Sequence, residues 1–256
     1  MRIAYTRAVS PAIARCELTH LDREPIDVAR AAAQHAAYEA LLTRLGVEVR
    51  RLPEAPAHPD GVFVEDTAIV LDELAIVTRP GAPSRRGETQ SVAAALARHR
   101  VLHHVAAPAT LDGGDVLVTS RRRVYVGQSS RTDAGAVEQL AGVLAPFGYD
   151  VVPVPLHGCL HLKSAVTEVA RGLLLLNPAW VDPGVFRPLD WIAVDPGEPH
   201  AATALALGQD VIHPAACPRT QARLAAEGLR VHPVEVGELA KAEAGVTCCS
   251  LLLASD

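Results

Sequence analysis

The sequence contains little that would mark a nucleic-acid-binding, secreted or membrane protein. It holds 29 acidic residues against 24 lysines and arginines, for a net charge of −5, and no basic stripe. A polyanionic partner is therefore not expected. Apolar runs stay far below the roughly 20 residues that a membrane-spanning helix needs. Charged and polar residues from Arg2 onward interrupt any signal-peptide pattern, so neither export nor membrane insertion is expected.

Disulfides and a nucleotide-binding loop are also missing from the pattern. The five cysteines are an odd number without regular spacing, which does not indicate a disulfide framework. Cys16, Cys159 and Cys217 are expected to be reduced thiols in a cytoplasmic protein. No glycine-rich phosphate loop follows the first predicted strand. Aromatic residues make up only 4% of the chain, so its core must come from the aliphatic part of a 49% hydrophobic composition.

Repetition is the main feature that is present. Five times a helical stretch ends and an extended run begins, at residues 46–49, 100–103, 148–152, 191–194 and 228–231. The spacing of roughly 40–50 residues is typical of repeats that stack into propellers or solenoids.

The units are predicted to share one plan of strand hairpin, helix and third strand, with a short irregular stretch in the helix position of the fourth unit, before residue 191. In the third unit, residues 115–118 and 124–127 form the hairpin, with a solvated turn at the arginines 121–123. Tight turns cannot join parallel strands, which argues against the alternative of a two-layer parallel sheet. The first strand, residues 2–5, and the last, residues 250–253, have no partner within their own units. Pairing them closes a ring of five units and removes exposed edges.

Four polar segments occupy the same position in their units, just before the first hairpin strand. They are residues 63–66 (Phe-Val-Glu-Asp), 111–115 (Leu-Asp-Gly-Gly-Asp), 160–164 (Leu-His-Leu-Lys-Ser) and 245–250 (Gly-Val-Thr-Cys-Cys-Ser). In a ring, equivalent positions converge on the axis. A cysteine, a histidine and a carboxylate that meet there provide a nucleophile, an acid or base, and an orienting group. The additional carboxylates suit a cationic substrate.

Each of these residues alone also has an ordinary structural explanation. Asp112 before two glycines is typical of a turn, and His161 of a buried, hydrogen-bonded histidine. Cys248 alone is typical of a small core residue, and Glu65 and Asp66 of solvated loop acids. Their common position favours a shared site over five separate explanations.

The segments resemble those of the dimethylarginine dimethylaminohydrolases, guanidine-modifying enzymes built as a five-bladed α/β propeller. The resemblance extends nearly from end to end, and residues 78–86 (Thr-Arg-Pro-Gly-Ala-Pro-Ser-Arg-Arg) and 247–250 (Thr-Cys-Cys-Ser) carry it most specifically. The Asp-Gly-Gly-Asp string is less specific. The resemblance implies a single propeller domain over residues 1–256.

The resemblance also implies a role for each site residue. Cys248 would be the nucleophile, His161 the general acid and base, and Asp112 the group that orients His161. The implied substrate-binding residues are Leu18 on a flap, Asp60 at the amino-acid end, Phe63, Glu65 and Asp66 at the guanidinium, Arg85 and Arg131 at the α-carboxylate, and Glu243. Some relatives carry an aspartate at the position of Glu243. The flap, residues 16–21, differs from those of the relatives.

The implied reaction is hydrolysis of an N-methylated free arginine to citrulline and an alkylamine. The alternatives are hydrolysis of another guanidino or ureido compound with ammonia as leaving group, amidino transfer, and a non-catalytic binding protein on the same ring. No cofactor or metal is expected, because a zinc site from Cys248, Cys249 and His161 lacks the usual ligand spacing. The expected partner is a small guanidino amino acid, and a homodimer is compatible with the sequence.

Neighbouring carboxylates are expected to raise the pKa of the Cys248 thiol, because they disfavour a second negative charge. The thiol would then ionise mainly when a cationic substrate is bound. Adjacent strand residues point to opposite faces, so Cys249 is expected to point away from the axis.

Overall fold

The computed structural model describes residues 2–254 and contains five three-stranded sheets arranged as a ring. In every sheet the first strand runs antiparallel to the middle strand, and the third strand runs parallel to it. The parallel pair needs a crossover connection, which explains why most units carry a helix there. The predicted five-bladed α/β propeller is confirmed.

The strands are named here in chain order. The middle strands are β1 (Arg2–Thr6), β4 (Leu74–Val77), β7 (Arg123–Gln128), β10 (Leu173–Leu176) and β13 (Asp210–Pro214). The third strands are β2 (Val47–Arg51), β5 (Val101–His104), β8 (Asp150–Pro155), β11 (Asp190–Ala193) and β14 (Arg230–Val234). The first strands are β3 (Ala68–Val70), β6 (Val116–Val118), β9 (Val166–Ala170), β12 (Leu205–Leu207) and β15 (Leu251–Ala254).

The ring closes through the two ends of the described chain. Strand β15 pairs antiparallel with β1, with Arg2 opposite Ala254 and Tyr5 opposite Leu251. The first strands of neighbouring sheets contact each other, β15 with β3, β6 with β9, and β9 with β12. The first strands therefore line the axis, and the segments that precede them meet at one end of it.

The longest helix, α1 (Val28–Arg44), shows how the crossovers form. The Asp27 carboxylate caps its first turn by accepting from the Arg30 N–H, and the buried residues recur at helical spacing. Gly46 follows its end with φ of +81°, the left-handed conformation that glycine adopts without strain. The other helices are α2 (Thr89–Leu96), α3 (Ala134–Leu144), α4 (Leu162–Ala165), α5 (Pro218–Ala226) and α6 (Gly237–Ala240).

The fourth unit departs from the common plan, and the irregular stretch predicted before residue 191 is what the structure contains. Between β10 and β11 the chain forms only a short 3₁₀ turn, Pro183–Phe186. The connection is short and holds prolines at positions 178, 183 and 188, which cannot donate the N–H groups that an α-helix interior needs.

The hydrophobic core is divided into five clusters, one at each contact between neighbouring sheets. Between the second and third sheets, for example, Ile69 and Ile76 pack against Val116, Val126 and Leu140. Equivalent clusters fill the other four contacts. Each sheet is thus held by both neighbours, and the ring supports the axial segments from all sides.

No helix within residues 2–254 is long and apolar enough to cross a membrane. Arg121 and Arg122 lie exposed in the β6–β7 turn, as predicted, and Arg123 is the first residue of β7.

Candidate active site

Three of the four polar segments, residues 63–66, 160–164 and 245–250, line one small cavity at the end of the axis. The fourth, residues 111–115, lies behind it and contacts His161 through Asp112. The volume of the cavity is about 20 Å³, room for one or two water molecules. Cys248, His161 and Asp66 all line it. The remaining lining residues are Glu17, Asp60, Phe63, Arg85, Arg131, Leu160, Ala242, Glu243 and Ala244.

His161 is oriented by Asp112. It lies at the N-terminal end of α4, and its Nε2 is 3.1 Å from Asp112 Oδ2. Asp112 is fully buried, and its other oxygen accepts from the Gly81 N–H at 2.9 Å. The carboxylate is therefore fixed from two directions and holds the imidazole ring in place.

Asp66 approaches the other ring nitrogen. Its Oδ1 lies 3.7 Å from His161 Nδ1 and accepts from the Gly114 N–H at 3.0 Å. Burial alone would lower the pKa of His161, but the charge of Asp66, the hydrogen bond that Asp112 accepts from the ring and the charge of Asp115 outweigh it and raise this pKa to about 9. At neutral pH the ring is therefore an imidazolium, able to donate a proton.

Asp66 is itself ionised. Its Oδ2 lies 2.6 Å from Arg85 Nη1. Burial pushes the pKa of Asp66 up, but the positive charges of His161 and Arg85 outweigh it and hold this pKa below its ordinary value. The cavity thus keeps a carboxylate charge where a cation could bind.

The two glycines of the Asp-Gly-Gly-Asp string are explained by close approach. A Cβ on Gly114 would lie 2.6 Å from His161 Nδ1 and 2.7 Å from Asp66 Oδ1. A Cβ on Gly113 would lie 2.1 Å from the Glu65 carbonyl oxygen. Any larger residue would push the imidazole and carboxylate apart.

Cys248 lies in the turn before β15. Its Sγ accepts a hydrogen bond from the Gly245 N–H at 3.3 Å. Burial, followed by the charges of Glu65 and Asp66, raises the pKa of this thiol well above its ordinary value. The direction agrees with the sequence-based expectation, and the resting thiol is protonated.

Cys249 points the other way. It is buried and packs in the cluster between the fifth and first sheets, with Tyr38 and Leu42. Burial, followed by Glu65, raises the pKa of this thiol to about 12. Its placement is that of a core residue.

The two arginines occupy different surroundings. Each of the three Arg85 nitrogens already donates, to Asp66, to Glu88 and to the Phe63 and Asp60 carbonyls. Arg85 is therefore the counter-ion of buried carboxylates, and its role as an α-carboxylate anchor stays a prediction. Arg131 is also buried, but its side chain makes one hydrogen bond, from Nη2 to Thr19 Oγ1 at 3.2 Å.

Glu65 does not line this cavity. Its carboxylate binds the Lys163 ammonium at 2.6 Å and accepts from Thr247 Oγ1 at 3.0 Å. These three residues line a separate cavity of about 430 Å³. The structure therefore places Glu65 away from the position predicted for guanidinium binding, although Asp66 beside it faces the site.

A flap, residues 16–21, covers the cavity and is held from several sides. The Glu243 carboxylate accepts the N–H groups of Thr19 at 2.9 Å and Leu21 at 2.7 Å, and also that of His20. The Glu17 N–H donates to Asp60, whose pKa burial raises to about 6.

Of the predicted substrate contacts, Leu18 is part of the flap and Glu243 binds its backbone. Leu18 packs against the hydrophobic cluster between the fifth and first sheets and does not line the cavity. Glu243 lines the cavity, but its carboxylate is occupied by the flap backbone. Because the cavity is smaller than an amino acid, the flap must move to admit one.

Asp115 is a functional candidate that the sequence analysis did not single out. This fully buried carboxylate accepts from Ser129 Oγ at 2.5 Å, Thr132 Oγ1 at 2.7 Å and the Leu162 N–H at 3.0 Å. It thereby joins the loop that carries Arg131 to the segment that carries His161. Its place in the Asp-Gly-Gly-Asp string was the available signal.

Asp66, Asp112 and His161 together have the donor types of a metal site. Ligand atoms of Asp66, Asp112 and His161 lie within 4.8 Å of one another. A metal ion there would compete with Arg85 for Asp66 and with the proton on His161. The donor set thus suits an imidazolium held between two carboxylates.

Comparison with known proteins gives consistent results. A model of the family "N,N dimethylarginine dimethylhydrolase, eukaryotic" matches residues 18–177. The N(G),N(G)-dimethylarginine dimethylaminohydrolase of Streptomyces coelicolor is 40% identical over 98% of this chain and 96% of that protein.

Solved structures extend the likeness to three dimensions. A dimethylarginine dimethylaminohydrolase mutant from Pseudomonas aeruginosa in complex with citrulline superposes with a TM-score of 0.91, at 32% identity and 98% coverage of both chains. The N-terminal domain of ArgZ, an arginine dihydrolase from cyanobacteria, gives 0.88 at 18% identity and covers 99% of this chain and 98% of that chain. The latter likeness concerns the fold alone.

Proposed function

The chain belongs to the dimethylarginine dimethylaminohydrolase family, and from this premise we propose that it hydrolyses N-methylated free arginine to citrulline and an alkylamine. The observation that carries the proposal is the shared cavity of Cys248 and His161, with carboxylates on both sides of the imidazolium. A nucleophile, a proton donor and a cation-binding charge are thus present in one place.

Binding begins with the substrate charge. The guanidinium cation lies beside Asp66, which keeps it protonated and fixes its plane through charge-assisted hydrogen bonds. Arg131, which has donors left for a ligand, holds the α-carboxylate. The positive charge of the substrate also offsets the carboxylates around Cys248, so the thiol loses its proton to solvent in the complex.

The chemistry then proceeds in two halves. The Cys248 thiolate attacks the guanidinium carbon, and His161 donates its proton to the departing amine as the C–N bond breaks. The covalent thiouronium intermediate remains on sulfur. His161, now a neutral imidazole, takes one proton from the water that attacks the same carbon. The C–S bond then breaks, the remaining hydroxyl proton passes to the departing sulfur, and neutral citrulline and the resting thiol are formed. General acid and base assistance of this kind contributes roughly 10²–10⁴-fold.

A panel of free guanidino amino acids tests the proposal. Asymmetric dimethylarginine, monomethylarginine and arginine are incubated with the protein, and citrulline, alkylamine and ammonia are measured separately. Citrulline with dimethylamine is the expected result. Ammonia from arginine as the main product would assign the alternative activity, and no citrulline from any of them would refute the proposal.

Two variants separate the nucleophile from its neighbour. Cys248→Ser should abolish turnover, whereas Cys249→Ala should retain it, because Cys249 lies in the core. The reverse result would exclude Cys248 as nucleophile.

We further propose a single domain in a reducing, cytoplasmic setting. The pairing of β15 with β1 supports one closed unit, and all five cysteines are free thiols. Thiol titration of freshly isolated protein should find five reactive groups after denaturation, and sedimentation would determine whether the domain forms a homodimer.

A further inference from the structure

A chain of polar contacts links the His161 segment to the Cys248 segment behind the catalytic cavity. Lys163 Nζ lies 2.6 Å from Glu65 Oε1, and the other oxygen of that carboxylate accepts from Thr247 Oγ1 at 3.0 Å. The Glu65 N–H donates to the Cys248 carbonyl at 3.2 Å. Glu65 is buried, and the Lys163 side chain is 17% exposed.

The position of these contacts in the sequence gives them significance. Lys163 follows His161 by two residues on α4, and Thr247 immediately precedes Cys248. Glu65 adjoins Asp66, which faces the catalytic cavity. One carboxylate therefore connects the segments of the proposed nucleophile, the proposed acid and the proposed guanidinium-binding group.

Charge balance requires a cation here. A buried carboxylate without a counter-ion is strongly unfavourable. Arg85 fills this place for Asp66, and Lys163 fills it for Glu65. Without Lys163, the full charge of Glu65 would act on the neighbouring sulfur through a poorly screened interior.

The Cys248 thiol is surrounded by several other charged or titratable groups. Glu65, Asp66 and Cys249 act on it most strongly. The other charged or titratable residues that line its cavity are Glu17, Asp60, Arg85, Arg131, His161 and Glu243. Of these groups, Glu65 is the one whose counter-ion reaches it from a separate cavity, so Lys163 can be changed without altering the catalytic cavity.

We propose that Lys163 is a positioning residue for the reaction: acting through Glu65, it holds the Thr247–Cys248 turn in place and screens the nucleophile from the carboxylate behind it. The inference rests on the proposed role of Cys248. In place of the direct substrate contact predicted for Glu65, this role is indirect, because Glu65 and Lys163 line the separate cavity.

Alkylation of Cys248 by iodoacetamide measures this effect without any turnover. The rate of Cys248 labelling, read by peptide mass, is followed against pH in the parent and in Lys163→Met. Loss of the ammonium should raise the pH midpoint of Cys248 labelling by about one unit. At a fixed pH below that midpoint, labelling should be about tenfold slower. Lys163→Arg, which keeps the charge, should stay close to the parent.

Glu65→Gln provides the matched comparison, because glutamine keeps the length and the acceptor for Thr247. Its midpoint should move down, since a charge beside the sulfur is removed. The double variant Lys163→Met/Glu65→Gln should behave like Glu65→Gln alone, because Lys163 acts through Glu65. Thermal melting of each variant identifies any that fail to fold, and Glu65→Gln alone still tests the electrostatic link.

The outcomes are distinct. An unchanged labelling profile in folded Lys163→Met or Glu65→Gln overturns the inference. Equal, additive shifts from Lys163→Met in both backgrounds also overturn it, because Lys163 would then act on the sulfur directly. A parent protein whose Cys248 is not labelled at any pH overturns the proposed nucleophile instead, and with it the premise of the inference.

Discussion

Removing the charge of Asp112 should shift the titration of His161 by an amount that the structure allows us to estimate. Asp112→Asn keeps the shape of the side chain but removes the carboxylate that lies 3.1 Å from His161 Nε2. Hydrogen bonds to charged groups contribute about 1.5–3 kcal/mol, which corresponds to about one to two pKa units. The pKa of His161, raised to about 9 in the parent, should therefore fall to about 7–8.

Asp66 and Asp115 limit the fall. Both remain charged neighbours of His161 in the variant, and both raise its pKa against the effect of burial. The ring should thus stay partly protonated at neutral pH. Turnover should decrease, and the alkaline limb of the kcat profile should move down with the pKa, because the proton donor is lost at lower pH.

Nuclear magnetic resonance provides the assay. The imidazole Cε1–H shifts are followed against pH in histidine-labelled protein, and the His161→Gln spectrum identifies the signal among the 11 histidines. Asp210→Asn is the matched control, since Asp210 pairs with His232 at 2.7 Å in the fifth sheet and its removal should leave the His161 titration unchanged. A His161 midpoint that is the same in Asp112→Asn and the parent would refute the assigned orienting contact.

Three further changes test other parts of the site. Gly114→Ala should lower kcat by about 10²-fold, because its Cβ would displace His161 and misplacement by about 1 Å costs that much; unchanged kcat would contradict the close approach. Glu243→Ala should speed tryptic cleavage after Arg23, two residues beyond the flap, about tenfold, as expected for a loss of about 1.4 kcal/mol of closing free energy; equal cleavage would show that Glu243 does not hold the flap. His161→Gln should lower the free energy of unfolding most below pH 6.5. The pKa of His161 is about 9 in the folded protein and about 6.5 in the unfolded chain, a difference that corresponds to about 3 kcal/mol, and the loss should shrink as the pH rises through 9. Urea unfolding midpoints measured at pH 6 and pH 10 check this sign.

Much of the ring could be predicted because its signals are local. Short hairpins, a crossover helix and two unpartnered terminal strands require a closed arrangement, and the β1–β15 pairing confirms it. The irregular stretch of the fourth unit was also predicted, and its prolines explain why no α-helix forms there. The common position of Asp66, Asp112, His161 and Cys248 before the first strands correctly indicated that they converge.

The directions of the side chains could be predicted less well from the sequence. Glu65 and Asp66 are neighbours, yet they face different cavities because a 3₁₀ turn, Val64–Thr67, carries them. The partner of Glu243 is more than two hundred residues away on the flap. Arg85 is occupied by Glu88, which only a helical turn brings within reach. The contact of Glu243 depends on the assembled ring, and that of Arg85 depends on a local turn that was not predicted, so neither was recognised from the sequence.

The order of the strands has a consequence for how the protein is made. Because β15 completes the sheet of β1, a ribosome produces four whole sheets before the sulfur of Cys248 exists. A chain synthesised only as far as residue 247 holds the imidazole and its carboxylates but not the proposed nucleophile, and it leaves one edge of β1 open to other strands. The complete proposed site and the covered edge of β1 therefore both depend on the synthesis of residues 248–254.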